Sequence, residues 1–394
     1  MIIAYLTNDV PTLKACAATC FSWYNIAVPH LHHTLILREW PANVPHKDLH
    51  KHLRPLASLH KLGLSPFVKQ VRFEGAIDID DPWIVPAIFN SRSVRYFRAL
   101  VNLQDLTIAD LNFSNFPTGA GQYFGHFSPT LRSVALSYPE GTHRQILDFF
   151  RLFPKLDDIK ISYYNARPGV HEALDTQLVP IRGGLRGRLI LRGFGDRELL
   201  EDMIIAFGGM RFTFMSLRNV RGKQLLLNAC ADTLETLHMY PDDMFHRCER
   251  VLCPWEGFSN TSANITSPVS PKRLSLSCST ALRSVEIPIS AIIPRQTQSH
   301  TLQHLLSTIT SPVFSEIIVV FSEKGVHCSL SRLALILRRM YGIKEFRVAF
   351  CLETLEGPRL NNLHTLVSEM RTAAVGFYDF LPCPPSVFFR TKTK

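Results

Sequence analysis

Leu103-Gln104-Asp105-Leu106-Thr107-Ile108 and Leu131-Arg132-Ser133-Val134-Ala135-Leu136 are two instances of one six-residue phrase, apolar-x-x-apolar-x-apolar, on which the fold turns. The phrase returns as Val68/Val71/Phe73, Leu156/Ile159/Ile161, Phe212/Met215/Leu217, Leu234/Leu237/Met239, Leu282/Val285/Ile287, Phe314/Ile317/Val319, Ile343/Phe346/Val348 and Val375/Tyr378/Phe380. Its last two apolar positions lie two residues apart and share one face of a short strand, while the leading residue belongs to the turn that feeds it. Most successive phrases are separated by roughly 22 to 35 residues, room for a strand, a connection and a helix.

The segments between phrases carry apolar residues at helical spacing, as in Ile146/Phe150/Phe153, Leu200/Met203/Ile204/Phe207, Leu333/Ile336/Leu337/Met340 and Leu363/Leu366/Val367/Met370. One such unit cannot bury its apolar face alone, so the pattern predicts an α/β solenoid with parallel strands on one face and helices on the other. A doubly wound α/β domain alternates strand and helix in the same way. Leu185, Leu189 and Leu191 form a phrase out of register, so the repeats are expected to be irregular.

The chain has 394 residues, of which 46% are hydrophobic and 19% charged, a balance that can bury a large core and excludes disorder. No apolar run approaches the ~20 residues that cross a bilayer, and Met1 to Leu6 lacks the basic flank and length of a secretory signal. The nine cysteines include no Cys-x-x-Cys pair and sit mostly among apolar neighbours. A cytoplasmic or nuclear address with free thiols is the expectation, with no membrane partner.

Residues 1–40 read differently from the rest. Asp9 and Pro11 announce a helix, and Leu13, Cys16, Ala17, Cys20, Tyr24 and Ala27 recur at three- and four-residue spacing up to Pro29, with Trp23 beside that stripe. Ile2, Ile3 and Leu6 read as the end of an earlier helix, and the apolar run Leu31 to Leu37 follows. So small a helical module needs something to dock on. Trp23 fits either the core of its own domain or an interface anchor.

Ile2-Ile3-Ala4-Tyr5-Leu6, then Asp9, Pro11 to Cys16, Cys20, Ser22-Trp23-Tyr24 and Pro29-His30-Leu31, resembles the second half of an F-box as written in the mushroom-type fungal F-box families. The rest resembles the irregular leucine-rich repeats that follow in such proteins. The resemblance implies a truncated F-box-like module at 1–40 and an irregular leucine-rich-repeat array at 67–381; composition adds a His-bearing connector at 41–66, an exposed Pro/Ser/Thr/Asn-rich loop at 253–272 in the widest gap between phrases, and a frayed basic tail at 382–394. It further implies a substrate-recognition adaptor of a Skp/cullin/F-box ubiquitin ligase, without catalysis of its own. Leu6, Leu13, Cys20 and Trp23 would meet the Skp-type adaptor, and the repeats would hold an unknown target protein. The family's opening Leu-Pro-x-Glu turn is absent from the sequence. A repeat scaffold that binds partners without recruiting a ligase is the alternative.

Other chemistries fail on spacing. Cys16, Cys20, His30, His32 and His33 lack the tight knuckle of a zinc site, as do His238, His246, Cys248 and Cys253. Gly183-Gly184-Leu185-Arg186-Gly187 lacks the Lys-Ser/Thr ending of a phosphate loop. No cofactor and no metal are expected. Net charge is +10, and Arg182, Arg186, Arg188, Arg192, Arg197, Arg211, Arg218, Arg221 and Lys223 crowd the middle of the chain. Arg186, Arg188 and Arg192 are the candidates for holding an acidic partner, against the alternative of a solvated face. Aromatic residues are not interleaved with them, which argues against nucleic acid.

Overall fold

Two backbone hydrogen bonds explain why the phrase is so constant. The carbonyl of its second residue accepts the N–H groups of the second and third residues of the next phrase: Lys69 O from Gln104 and Asp105, Gln104 O from Arg132 and Ser133, Arg132 O from Asp157 and Asp158. The leading apolar residue is thereby fixed in the turn, and the next two apolar residues enter a strand. The structure, a computed structural model, describes residues 9–38, 53–74, 91–116, 119–166, 185–239, 274–289, 305–321, 347–352 and 387–391. It comprises two compact units, Met1–Arg211 and Phe212–Lys394.

In the first unit β1 (Thr34–Arg38), β2 (Gln70–Glu74), β3 (Asp105–Ala109) and β4 (Ser133–Ser137) pair in chain order. β5 (Glu140–Gly141) leaves the sheet to pair with β7 (Asn165–Ala166), while β6 (Asp158–Ser162) and β8 (Leu185–Phe194) continue it. Every one of these pairs is parallel. The register lines up Leu35, Val71, Leu106, Val134, Ile159 and Leu189 in one row and Leu37, Phe73, Ile108, Leu136, Ile161 and Leu191 in another. All are buried.

Helices supply the other wall of that core. The described helices of the first unit are α1 (Val10–Thr19) and α2 (Phe21–Leu31), which pack around a core of their own, then α3 (Arg54–Lys61), α4 (Ser91–Arg98), α5 (Gly121–Phe124), α6 (His143–Arg151) and α7 (Arg197–Ala206). Phe73 of β2 stacks on Phe97 of α4 at 6.3 Å, and contacts run on through Phe127, Phe124, Phe149 and Phe153. α6 starts on a capping box in which Thr142 Oγ1 accepts from Gln145 N and Gln145 Oε1 accepts from Thr142 N.

The second unit opens within β9 (Met210–Val220), which is followed by α8 (Lys223–Ala229), β10 (Thr236–Met239), β11 (Ser284–Ile289), β12 (Glu316–Phe321), β13 (Arg347–Leu352) and β14 (Val387–Thr391). These strands also pair in chain order and in parallel. Gln224 of α8 clamps the segment before β11, donating to Ser275 O and accepting from Ser275 N.

The structure corrects the sequence reading in several places. The single helix expected from Asp9 to Pro29 is two helices, because Cys20 is extended at φ −163° and ψ 168°. Pro29 lies within the last turn of α2 rather than ending it. The stretch taken as a connector holds α3, with Leu53 and Leu56 buried, and the run Leu31 to Leu37 supplies β1, so the sheet begins well before residue 67. Leu189 and Leu191 keep register with Ile159 and Ile161, so the irregularity of β8 is confined to its start, where Arg186 stands in the leading position. The expected frayed tail contains β14, paired with β13. Leu6, Arg182, the loop at 253–272 and the phrase at Val375 lie outside the described residues.

Candidate interaction surfaces

The N-terminal helices hold each other through a very small core and leave a large apolar surface outside it. Asp9 caps α1 by accepting from Thr12 N at 3.1 Å and Thr12 Oγ1 at 2.7 Å, bonds that hold its carboxyl below the ordinary carboxylate value. Leu13 and Ala27 are fully buried against each other, with Cys16, Ala17 and Leu31 packed around them. The break at Cys20 turns the following residues outward. Phe21 is 76% exposed, Ile26 54%, Tyr24 44% and Trp23 42%.

Of the residues expected to meet an adaptor, Cys20 and Trp23 are therefore on the surface, and Leu13 is inside, where it holds the two helices together. Trp23 is not core. Phe21, Tyr24 and Ile26 were missed as surface residues because one continuous helix would have carried Tyr24 into the buried stripe. The signal that would have found the break is the Thr19-Cys20 pair, both poor helix formers, ahead of an aromatic residue.

The second surface is the face of the first unit's sheet opposite the apolar rows. Register places Ile36, Arg72, Thr107, Ala135, Lys160 and Ile190 in its middle row. The row toward the strand starts runs Thr34, Gln70, Asp105, Ser133, Asp158 and Arg188, and that toward the strand ends includes Ala109, Ser137, Ser162 and Arg192. Small residues thus floor the sheet at β3 and β4, between Arg72 on one side and Lys160 with Arg192 on the other. Burial and then the nearby charges of Arg192 and Arg72 push the Lys160 ammonium below its ordinary value. The Arg192 Nε is buried without a hydrogen-bond partner among the described residues.

The strand ends form a rim. Asp110, Tyr138 and Tyr163 all have left-handed φ, between 51° and 57°, and Gly193 follows at 58°. In each case the backbone N–H reaches the residue just before the next left-handed one: Asp110 N to Ser137 O, Tyr138 N to Ser162 O, Tyr163 N to Arg192 O. Tyr138 and Tyr163 are about half exposed and stacked, with centroids 4.9 Å apart and planes inclined by 12°. Gly193 is required beneath Tyr163, since a Cβ there would lie 2.5 Å from its Cδ1.

The basic residues singled out in the sequence divide on this surface. Arg188 stands across from Asp158, whose carboxyl is raised by burial and drawn back by that arginine, whereas Arg192 joins Lys160 and Arg72. Arg186 is exposed at the start of β8. Lys160 and Arg72 were missed because they are far from the arginine cluster in the chain. The tyrosine shelf beside Arg192 removes the earlier reason for setting aside a stacking surface.

Two histidine clusters complete the inventory. His143 at the start of α6 lies 2.8 Å from Asp196, the cap of α7, through Nε2, and 2.8 Å from Asp202 of α7 through Nδ1. In the second unit His238 lies between Ser216, at 3.4 Å, and Glu286, at 3.5 Å, on adjacent strands. That order suggests a hydrolytic triad, but Ser216 is buried and both distances exceed a working hydrogen bond. Among the described residues no group of His, Cys, Asp and Glu is arranged to hold a metal, and no helix is long and apolar enough to cross a membrane. No protein-family model matches the chain, and neither does any curated protein.

Proposed function

We propose that the chain is a substrate-recognition adaptor of a Skp/cullin/F-box ubiquitin ligase. In this reading α1 and α2 are the F-box-like module that docks on a Skp-type adaptor, and the parallel strands with their helices are an irregular leucine-rich-repeat solenoid that holds a target protein. The observation that carries it is the number of large apolar side chains exposed on one short helix, Phe21, Trp23, Tyr24 and Ile26, beside a core of Leu13 and Ala27. Exposed apolar clusters of this kind mark sites that another protein covers. The chain performs no chemistry here; other subunits carry the ubiquitin.

Binding of a purified Skp-type adaptor tests the reading, using the chain as written and a form with a Leu-Pro-x-Glu turn and one helical turn added at its N-terminus. Truncating a central interface aromatic costs about 2 to 4 kcal/mol, so Trp23→Ala should weaken binding by roughly 30- to 800-fold. Because Trp23 lies outside the buried cluster, the variant should keep its fold. If neither folded form binds the adaptor, the ligase reading is wrong and a partner-binding scaffold takes its place.

A further inference from the structure

The open face of the first unit's sheet gathers Arg72, Lys160 and Arg192, and no ion pair among the described residues holds them. We propose that this face seats an extended acidic segment of a partner protein, running across the strands over Thr107 and Ala135 between Arg72 and the Lys160/Arg192 pair. The proposal rests on the reading that the sheet array holds a target, and it names that target's chemistry.

Three observations support it. First, the cations are gathered rather than dispersed: Lys160 senses both Arg192 and Arg72, and no hydrogen bond or ion pair among the described residues reaches Lys160. A half-buried ammonium held between two guanidinium groups is destabilised until an anion arrives. Second, the floor is shaped for main-chain approach. Thr107 and Ala135 fill the register positions between Arg72 and Lys160, with Ser133 and Ser137 flanking Ala135 on β4. Third, the charge is elongated. Arg72 and Lys160 stand three strand spacings apart, about 14 Å between backbones, while alternate side chains of an extended peptide recur every ~7 Å. Carboxylates at alternate positions of such a segment would meet the two ends of the trough.

The same map selects against a polynucleotide. Asp105 and Asp158 occupy the row just before Thr107 and Lys160, so a phosphate backbone lying along the face would meet carboxylates within about 7 Å. An extended peptide over the middle row can place carboxylates only at the cations and neutral residues between them, whereas a polynucleotide carries a charge on every unit. The Tyr138 and Tyr163 shelf lies beyond the Arg192 end, where it would receive the residue that follows the acidic run.

Fluorescence anisotropy with the full chain provides the test, with no ligase subunit present, so that its failure is distinct from failure of adaptor binding. The probes are a labelled decapeptide of alternating Glu and Ser, the same peptide with Lys for Glu, a single-phosphoserine peptide and a single-stranded decanucleotide. The Glu peptide should bind, the Lys peptide should not, and affinity should fall as salt is raised. Lys160→Met and Arg192→Gln should each weaken binding at least tenfold, while Arg197→Gln, an exposed cation on α7 paired with Glu201, should leave it unchanged. Tighter binding of the nucleotide or the phosphoserine peptide would overturn the assignment. So would equal losses in all three variants, which would indicate attraction by net charge alone, and so would failure of the Glu peptide to bind.

Discussion

At the scale of single residues, Lys160 and Gly193 make opposite predictions. Lys160 is half-buried beside two like charges, so removing its ammonium takes away a repulsion and a desolvation cost. Lys160→Met should therefore leave the midpoint of denaturant unfolding unchanged or raise it, even as it weakens binding of an acidic peptide. Gly193 has no such freedom. Its φ of 58° is strained for alanine, and the added Cβ would meet the Tyr163 ring. Gly193→Ala should cost about 1 to 2 kcal/mol by chemical denaturation and perturb the tyrosine bands of the near-ultraviolet dichroism spectrum as the stack with Tyr138 opens.

At the scale of elements, the contact between α6 and α7 is a pH-dependent clasp. His143 is held above its ordinary value, first by the Asp196 hydrogen bond and then by Asp202, against the opposing effect of burial. Burial raises Asp196, but the His143 and Leu199 hydrogen bonds outweigh it and leave the carboxyl below its usual value. A histidine whose folded value is raised stabilises fully below its unfolded value, about 6.5, and loses that stabilisation as pH rises through the folded value. Asp196, with its folded value lowered, stabilises above about pH 4 and loses that stabilisation as pH falls through its folded value. Thermal stability should thus decline from pH 6 toward alkaline pH, and His143→Gln should flatten that slope. At pH 6 the substitution should cost about 1.5 to 3 kcal/mol, the range for a hydrogen bond to a charged group.

The elements also show what the sequence could reveal. A two-residue apolar spacing specifies strand, and it found β2, β3, β4, β6, β9, β10, β11 and β12; in β13 Val348 and Phe350, not Phe346 and Val348, align with Ile317 and Val319, and β14 carried no phrase. β1 escaped because Leu35 and Leu37 align with Val71 and Phe73 but the leading position of the phrase is His32 rather than an apolar residue. The break between α1 and α2 escaped because a period of three to four persists across Cys20, and periodicity reports which residues face inward only while the helix continues.

For the whole molecule, the two surfaces of the first unit should act independently. One is built on α2 and the other on the strands, with no residue in common. Trp23→Ala should leave acidic-peptide affinity unchanged, Lys160→Met should leave adaptor affinity unchanged, and the double variant should show each loss within about 0.5 kcal/mol of the single ones. The open-face site was not legible beforehand because it is a property of register. Arg72, Lys160 and Arg192 come from three separate strands and share one face only once β2, β3, β4, β6 and β8 are laid into one sheet. Of the arginines conspicuous in the chain, Arg188 stands across from Asp158 while Arg192 falls in the row beyond Lys160.

The left-handed rim has a consequence for how such a protein changes over generations. At Asp110, Tyr138 and Tyr163 the bond that joins one strand end to the next is donated by the peptide N–H, so it is indifferent to the side chain that the residue carries. Positive φ costs a non-glycine residue something, but the ladder itself survives any replacement except proline, which has no N–H to give. The rim therefore works like a row of sockets. Mutation can refit it with acid or aromatic, as this chain has done from Asp110 to Tyr163, while the frame that carries it stays the same.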